Sequence, residues 1–433
     1  MSAARTRAVV ALLLWLLPTV AAAQATRRER LDNGLTVLVH ENAVAPVVAV
    51  ALMLRMGTRW ERPEESGIAN FVHAVMVKGT AKRSGGDLAE AIAALGGKLS
   101  AAGDVDYSAI NASALSRFWR ELLAMTAELA LEPGLAPDEV GIERDWLISR
   151  IQRQRDSPSS RAFDEFYAAL YGPHPYGRPV LGTPETLRRI DHAALVAYYR
   201  AFYRPERMIL SVSGQVKANE VLAEARRLFG GLPAGGPVAE PSNPPPTATA
   251  RRLVVEQPAQ QAQILAGSLA PPLDHRDHAA VKVLTTVLGG GMAGRLFAEL
   301  RDRQALAYTA NAFYDPVREP GAVILYLGTA PENAERAEAA LLREIERVKT
   351  QAITAEELRR AKGYLLGNYA MDRRTNGRQV WYMGFYEIEG VGQGFPERYR
   401  RAVEAVTADD VLRVARAHLD TLTIVVLRPP KGG

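Results

Sequence analysis

Cysteine is absent from the chain. That excludes disulfides, thiolate metal sites, a thiol nucleophile and a bacterial lipoprotein anchor. Beyond the N-terminal region, no apolar run reaches the roughly 20 charge-poor residues that cross a bilayer. A basic stripe with interleaved aromatics is missing as well. The formal charge is +5, but Lys and Arg alternate with Asp and Glu, as in Leu341-Leu342-Arg343-Glu344-Ile345-Glu346-Arg347. A mixed, solvated surface is expected, with no nucleic-acid partner. No histidine stands at metal-ligand spacing from His73, which disfavours a solitary metalloenzyme built on His73 with His40 or His174.

What is present begins with an export signature. Arg5 and Arg7 precede a short apolar core, Ala8 to Leu17, followed by Pro18 and the small-residue site Ala23-Gln24-Ala25. Residues 1–25 read as a secretory signal cleaved near Ala25, leaving a mature chain that begins near Thr26 and has no membrane span. Export without disulfides fits a bacterial periplasm.

The clearest boundary is 233–250, PAGGPVAEPSNPPPTATA, whose Pro, Gly, Ser and Thr favour an extended linker over a packed element. It separates an N-terminal domain, 26–232, from a C-terminal domain, 251–433. The two halves resemble each other. In the first, Ile190-Asp191-His192 leads into a helix over 193–201 and the strand 208–213. In the second, Val406-Thr407-Ala408-Asp409-Asp410 leads into a helix and the strand 422–427, Thr407 and Asp410 matching a capping box. Further strands are expected at 35–39, 47–56, 264–269 and 322–329, with long helical patterns between them. The expected class is α+β: two sheet-and-helix domains of one design, related by internal duplication.

Two segments bear on chemistry. The first runs Gly67-Ile68-Ala69-Asn70-Phe71-Val72-His73-Ala74-Val75-Met76-Val77-Lys78-Gly79-Thr80. From the residues alone it is an amphipathic helix with Ser66 as its N-cap and Ile68, Phe71, Val72 and Val75 as its apolar stripe. His73 then reads as a surface or satisfied core histidine. The segment also resembles the zinc helix of the pitrilysin and mitochondrial-processing-peptidase family, the inverted zincins, whose H-x-x-E-H motif sets two histidine ligands around a glutamate base. Asn70 and Ala74 stand at the histidine positions and His73 at the glutamate. The resemblance places the third ligand within Glu143-Arg144-Asp145-Trp146-Leu147-Ile148-Ser149-Arg150-Ile151, at Arg150. A guanidinium has no lone pair to offer a metal. The frame of the motif is kept while its ligands and base are lost, so no metal or other cofactor is expected in this chain.

The second segment follows Gly289-Gly290-Gly291, read as a helix stop and flexible turn. Met292, Leu296 and Leu300 read as a core stripe, and Arg301 and Tyr308 sit in a Leu-Arg…Leu-Ala-Tyr frame. By themselves they are an arginine ending a helix and a tyrosine starting a strand. The same family carries an Arg/Tyr pair at this separation, and the resemblance implies that Arg301 and Tyr308 bind a substrate carbonyl across a clamshell chamber. It further implies half of such a clamshell peptidase: a subunit without zinc, paired with a homologous zinc-binding subunit in a heterodimer that hydrolyses peptides or unfolded protein segments. The alternative is a catalytically inactive scaffold or peptide-binding pseudo-peptidase.

Overall fold

Strands form where valine, leucine, isoleucine and alanine crowd together, because such side chains fit a pleated and buried surface. The computed structural model describes residues 26–430; the expected signal segment lies outside them. The first half supplies β1 (Arg27–Arg30), β2 (Thr36–Glu41), β3 (Val47–Leu54), β4 (Lys98–Gly103), β5 (Ser108–Leu115) and β6 (Met208–Gly214). The second supplies β7 (Arg251–Glu256), β8 (Ala262–Ala270), β9 (Thr309–Asp315), β10 (Gly321–Thr329) and β11 (Thr423–Arg428).

The sheets run β1-β2-β6-β3-β5-β4 and β7-β11-β8-β10-β9. Without the polar edge strand β1, the two orders superimpose strand for strand. The pairing sense matches too: β2 lies parallel to β6 and β7 parallel to β11, while the other pairs are antiparallel. The duplication is therefore one of topology, and the α+β class holds.

The first half also carries α1 (Ile68–Met76), α2 (Gly85–Ala94), α3 (Trp119–Leu131), α4 (Pro137–Asp156), α5 (Pro158–Tyr171), α6 (Pro184–Arg189), α7 (His192–Phe202) and α8 (Ala218–Phe229). The second carries α9 (His278–Gly289), α10 (Ala334–Thr350), α11 (Ala355–Asp372), α12 (Asn376–Ile388), α13 (Phe395–Ala405) and α14 (Ala408–His418). Thr407 and Asp410 form the capping box at the start of α14. Helices α1 and α9 occupy equivalent places, each following the central strand of its sheet.

Each half covers the other's sheet. Helix α5 lays Ala162, Phe166 and Leu170 on Leu265, Ile324, Val425 and Leu427. Reciprocally, α12 lays Val380, Met383 and Ile388 on Leu38, Ala49, Met53 and Ile209. With its own helices on one face and a borrowed helix on the other, a central strand must be apolar on both; β3 reads VVAVALML and is buried from Val48 onward. Gly267 in β8 makes room for the exchange, since a Cβ there would come within 2.8 Å of the Phe166 ring. Residues 233–250 form no helix or strand, but they are pinned across the seam: Glu240 pairs with Arg59 at 2.7 Å and Arg318 at 3.4 Å.

Candidate functional site

Helix α1 begins differently from the sequence expectation. Ser66 is not its cap; Gly67 is, at φ 94°, and the Ser66 hydroxyl has no partner among the described residues. The cap comes instead from Glu61, whose carboxylate accepts the Gly67 and Ala69 N–H groups at 2.9 Å each. These are orphan donors at the positive end of the helix dipole. Burial outweighs those bonds and pushes the Glu61 carboxyl up to about 7. Gly67 is needed twice over: its φ is left-handed, and a Cβ would come within 2.6 Å of the Leu181 carbonyl.

The expected stripe holds, with Ile68, Phe71, Val72 and Val75 all in the core. Asn70 is buried, and Ala74 packs against the same cluster. His73 is fully enclosed. Its Nδ1–H donates to the Ala69 carbonyl at 2.7 Å, so Nε2 accepts the Tyr203 hydroxyl at 2.8 Å. Desolvation lowers its pKa to about 4. It is a satisfied core histidine.

Arg150 is exposed on α4, above the Trp146 ring at 5.8 Å. These residues do not fit zinc: one amide, one methyl, one guanidinium and a histidine with both nitrogens engaged cannot form a first shell. Among the described residues no group of three or more His, Cys, Asp or Glu is placed to hold a metal. His174 is committed too, with Nε2 on Glu319 at 2.6 Å and Nδ1 accepting the Tyr176 N–H. His40 lies on β2, opposite Ser213.

The preserved frame has structural duties that need no metal. Lys78 ties the end of α1 to the buried Glu143 of α4 at 2.7 Å. Thr80 donates to Glu128 at 2.6 Å while its hydroxyl accepts the Arg83 N–H.

The second segment is arranged for exposure. Leu296 and Leu300 are buried, but Met292, expected in the same stripe, is 78% exposed, because the 3-10 turn Gly291–Ala293 interrupts the helical period. Arg301 lies in a π-helical turn, Phe297–Arg303, with its guanidinium 4.6 Å from the Phe297 ring centre. The turn ends at Ala305, whose φ of 49° is unusual for a residue with a Cβ. Leu306 N–H closes it onto the Leu300 carbonyl at 2.7 Å. Tyr308 directly precedes edge strand β9; its N–H is held by the Gly328 carbonyl at 2.8 Å and its side chain is 60% exposed. Among the described residues nothing bonds its hydroxyl. A guanidinium with several N–H donors and a phenol with one O–H, both exposed on a closed, anchored turn, can serve an oxyanion or a carbonyl.

Sequence reasoning missed the seam between the halves. The β4–β5 and β9–β10 hairpins are topological equivalents, and their tips meet there. Asp106 accepts the Tyr176 hydroxyl at 2.6 Å, Arg59 binds Glu319 at 2.5 Å and Tyr167 donates to Asp315 at 2.9 Å. Burial pushes Asp106 up to about 6 even with Tyr176, Arg318 and Arg59 opposing. No local spacing connects residues this far apart in the chain.

Comparison with known proteins accords with this architecture. Residues 36–184 match "Insulinase (Peptidase family M16)", and residues 189–365 match "Peptidase M16 inactive domain". An uncharacterized zinc protease of Mycobacterium bovis is 31% identical over 399 residues, covering 92% of this chain and 91% of that protein. One from Rickettsia bellii is 26% identical over 411 residues, covering 92% and 97%. Two solved structures share the fold. A peptidase M16 inactive domain from Pseudomonas fluorescens has a TM-score of 0.86 at 23% identity, covering 94% of this chain and 98% of that one. A Helicobacter pylori protease has a TM-score of 0.88 at 22% identity, covering 94% and 100%. The chain therefore belongs to the pitrilysin-like peptidase family M16.

Proposed function

We propose that the protein is the non-zinc-binding subunit of a heterodimeric zinc metallopeptidase and lends Arg301 and Tyr308 to the partner's active site. One observation carries the reading. The four positions of the zinc motif are filled by groups that are packed or non-ligating, whereas the Arg/Tyr pair stands exposed on a strained, anchored turn. The zinc of the reaction belongs to the partner, a homologous chain. Arg301 and Tyr308 donate to the substrate carbonyl and to the charge that develops on its oxygen. The substrate is a peptide or unfolded segment, and the compartment is the periplasm. A pseudo-peptidase that only binds or scaffolds is the competing reading.

The test is reconstitution with a zinc-binding homologue from the same cell. Alone, the chain should carry no stoichiometric zinc and hydrolyse no peptide; one tightly bound zinc per chain would overturn the reading. In the heterodimer, Tyr308→Phe removes only a hydroxyl. Assembly and zinc content should stay constant while kcat falls by about 10²–10³, the usual effect of losing one oxyanion donor. Arg301→Ala should be at least as damaging. Full activity in both variants would favour the scaffold.

A further inference from the structure

Helices α1 and α4 lie side by side and run in opposite directions. Lys78, just past the end of α1, is bonded to Glu143, early in α4. At the other end Leu181 and Gly182 pack against Gly67, where α1 starts, and they share a cavity of about 400 Å³ with Ile151 and Gln154, late in α4. Glu143, Arg150 and Gln154 follow one face of α4 at i, i+7 and i+11, while Asn70, Ala74 and Lys78 follow one face of α1 at i, i+4 and i+8. Arg150 therefore stands alongside Asn70 and Ala74, next to the cavity. A second link joins Asn70 to the cavity. Asp104 lines it, and a Cβ on the preceding Gly103 would come within 3.1 Å of the Asn70 Cα.

Three polar groups here are unused. Asn70 is only 7% exposed, yet its amide makes no hydrogen bond among the described residues and is not sealed from solvent. A buried amide without a partner is uncommon. The Gln154 amide is unbonded in the same sense. Arg150 is exposed and forms no ion pair or hydrogen bond among the described residues; it only overlies the Trp146 ring at 5.8 Å. Arg153 adds positive charge to the same end of α4. The acids of the cavity are committed: Asp104 accepts the Val105 N–H at 2.7 Å, Asp315 accepts the Tyr167 hydroxyl at 2.9 Å, and Asp164 lies beside Arg155. The Tyr171 hydroxyl donates to the Pro320 carbonyl at 3.0 Å. With both hydroxyls taken, the Tyr167 and Tyr171 rings, stacked at 6.3 Å, join Ile151 and Leu181 as apolar wall.

We propose that this place binds the carboxy terminus of a peptide. Arg150 holds the two carboxylate oxygens in its planar fork, the Asn70 amide N–H donates to one of them, and the cavity receives an apolar or aromatic terminal side chain. Arginine matches a carboxylate with two parallel donors. A terminal residue carries its carboxylate and its side chain on one Cα, so the cation and the adjacent cavity fill together. The carboxylate of an Asp or Glu side chain would leave the cavity empty, and a cationic ligand would face Arg150 and Arg153. The site is separate from Arg301 and Tyr308 and stands whether or not they serve a partner.

The test is calorimetric titration of the full chain with N-acetyl-Gly-Gly-Phe at neutral pH. One equivalent of the free acid should bind, and its C-terminal amide should bind about 10–100-fold more weakly. Arg150→Gln, at an exposed position that leaves the fold undisturbed, should weaken the free acid by a similar factor and leave the amide unchanged. Replacing the terminal Phe by Gly should cost at least about tenfold, because the cavity then stays empty. An amidated peptide ending in Glu separates a side-chain carboxylate from a terminal one and should bind no better than the Phe amide. No saturable binding of the free acid, equal binding of its amide, an unchanged affinity in Arg150→Gln, indifference to the terminal side chain, or full affinity for the amidated Glu peptide would each overturn the proposal. The acid and amide comparison uses the native chain, so it holds even if a variant misfolds.

Discussion

Helix α1 and the turn that carries Arg301 and Tyr308 belong to corresponding halves of one duplicated fold, yet they treat their polar side chains in opposite ways. In α1, His73 is sealed, both of its nitrogens are satisfied and Asn70 is buried. At the turn, Arg301 and Tyr308 project to the surface, with the backbone held at φ 49° behind them. A histidine that must titrate or bind metal keeps a free nitrogen; His73 has none. The difference teaches that a motif's frame and its chemistry are separable. Gly67, Lys78 and Thr80 cap, tether and brace α1, so the frame is useful with no metal beside it.

The comparison can be broken most forcefully at His73. If it is a packing residue, His73→Ala leaves a cavity and reduces the Tyr203 hydroxyl to its weak contact with the Met76 sulfur at 3.3 Å, which should cost about 2–4 kcal/mol. Chemical denaturation measures this; a change below about 0.5 kcal/mol, the size of an ordinary surface substitution, would show that the ring is not structural.

The next effect is in pH. Burial lowers the His73 pKa from the ordinary 6.5 to about 4 in the folded chain. Between those values the unfolded chain binds the extra proton, so this group makes stability fall as pH drops. Glu61 acts in the opposite sense, rising from 4.5 to about 7. Over that window the folded chain holds the extra proton, so stability falls as pH rises. The two slopes oppose each other where they overlap. Glu61→Gln should unmask a loss of stability on acidification from 6.5 towards 4, followed by denaturation at several pH values. An unchanged profile would contradict the buried carboxyl.

A smaller effect tests the other side. Tyr308→Phe and Arg301→Ala should each change stability by no more than about 0.5 kcal/mol, as exposed positions do. A larger loss in thermal or chemical unfolding would make them structural residues and remove the contrast. The smallest effect expected is none: Asn70→His with Ala74→His should take up no stoichiometric zinc, since Arg150 still places a cation at the third position. Zinc retention by that double variant in elemental analysis would mean another residue supplies the third ligand.

Much of the fold was legible because strand and helix periods are local. The apolar runs at 47–56, 264–269 and 322–329 became central strands, and the expected helix at 193–201 became His192–Phe202. Met292 was misread since nothing in its period announces the 3-10 turn that takes it out of the core. Ser66 was misread because a hydroxyl before a helix is the commonest local cap, and a carboxylate elsewhere in the entering loop took the role. The roles of Arg301 and Tyr308 rest on resemblance, since exposure alone distinguishes no function.

By itself the sequence determined the duplication of strand and helix pattern and the apolar stripe of α1, and its resemblance to a known family marked the loss of ligand chemistry at Asn70, Ala74 and Arg150. The patterns follow from residue type and short-range period, which need no knowledge of distant contacts. Only the tertiary structure decided that α5 and α12 exchange sheets, that Glu61 caps α1 and that His73 closes on Tyr203. Those contacts join residues far apart in the chain. Burial and hydrogen bonding are properties of the packed arrangement, and no local pattern encodes which distant atom will arrive.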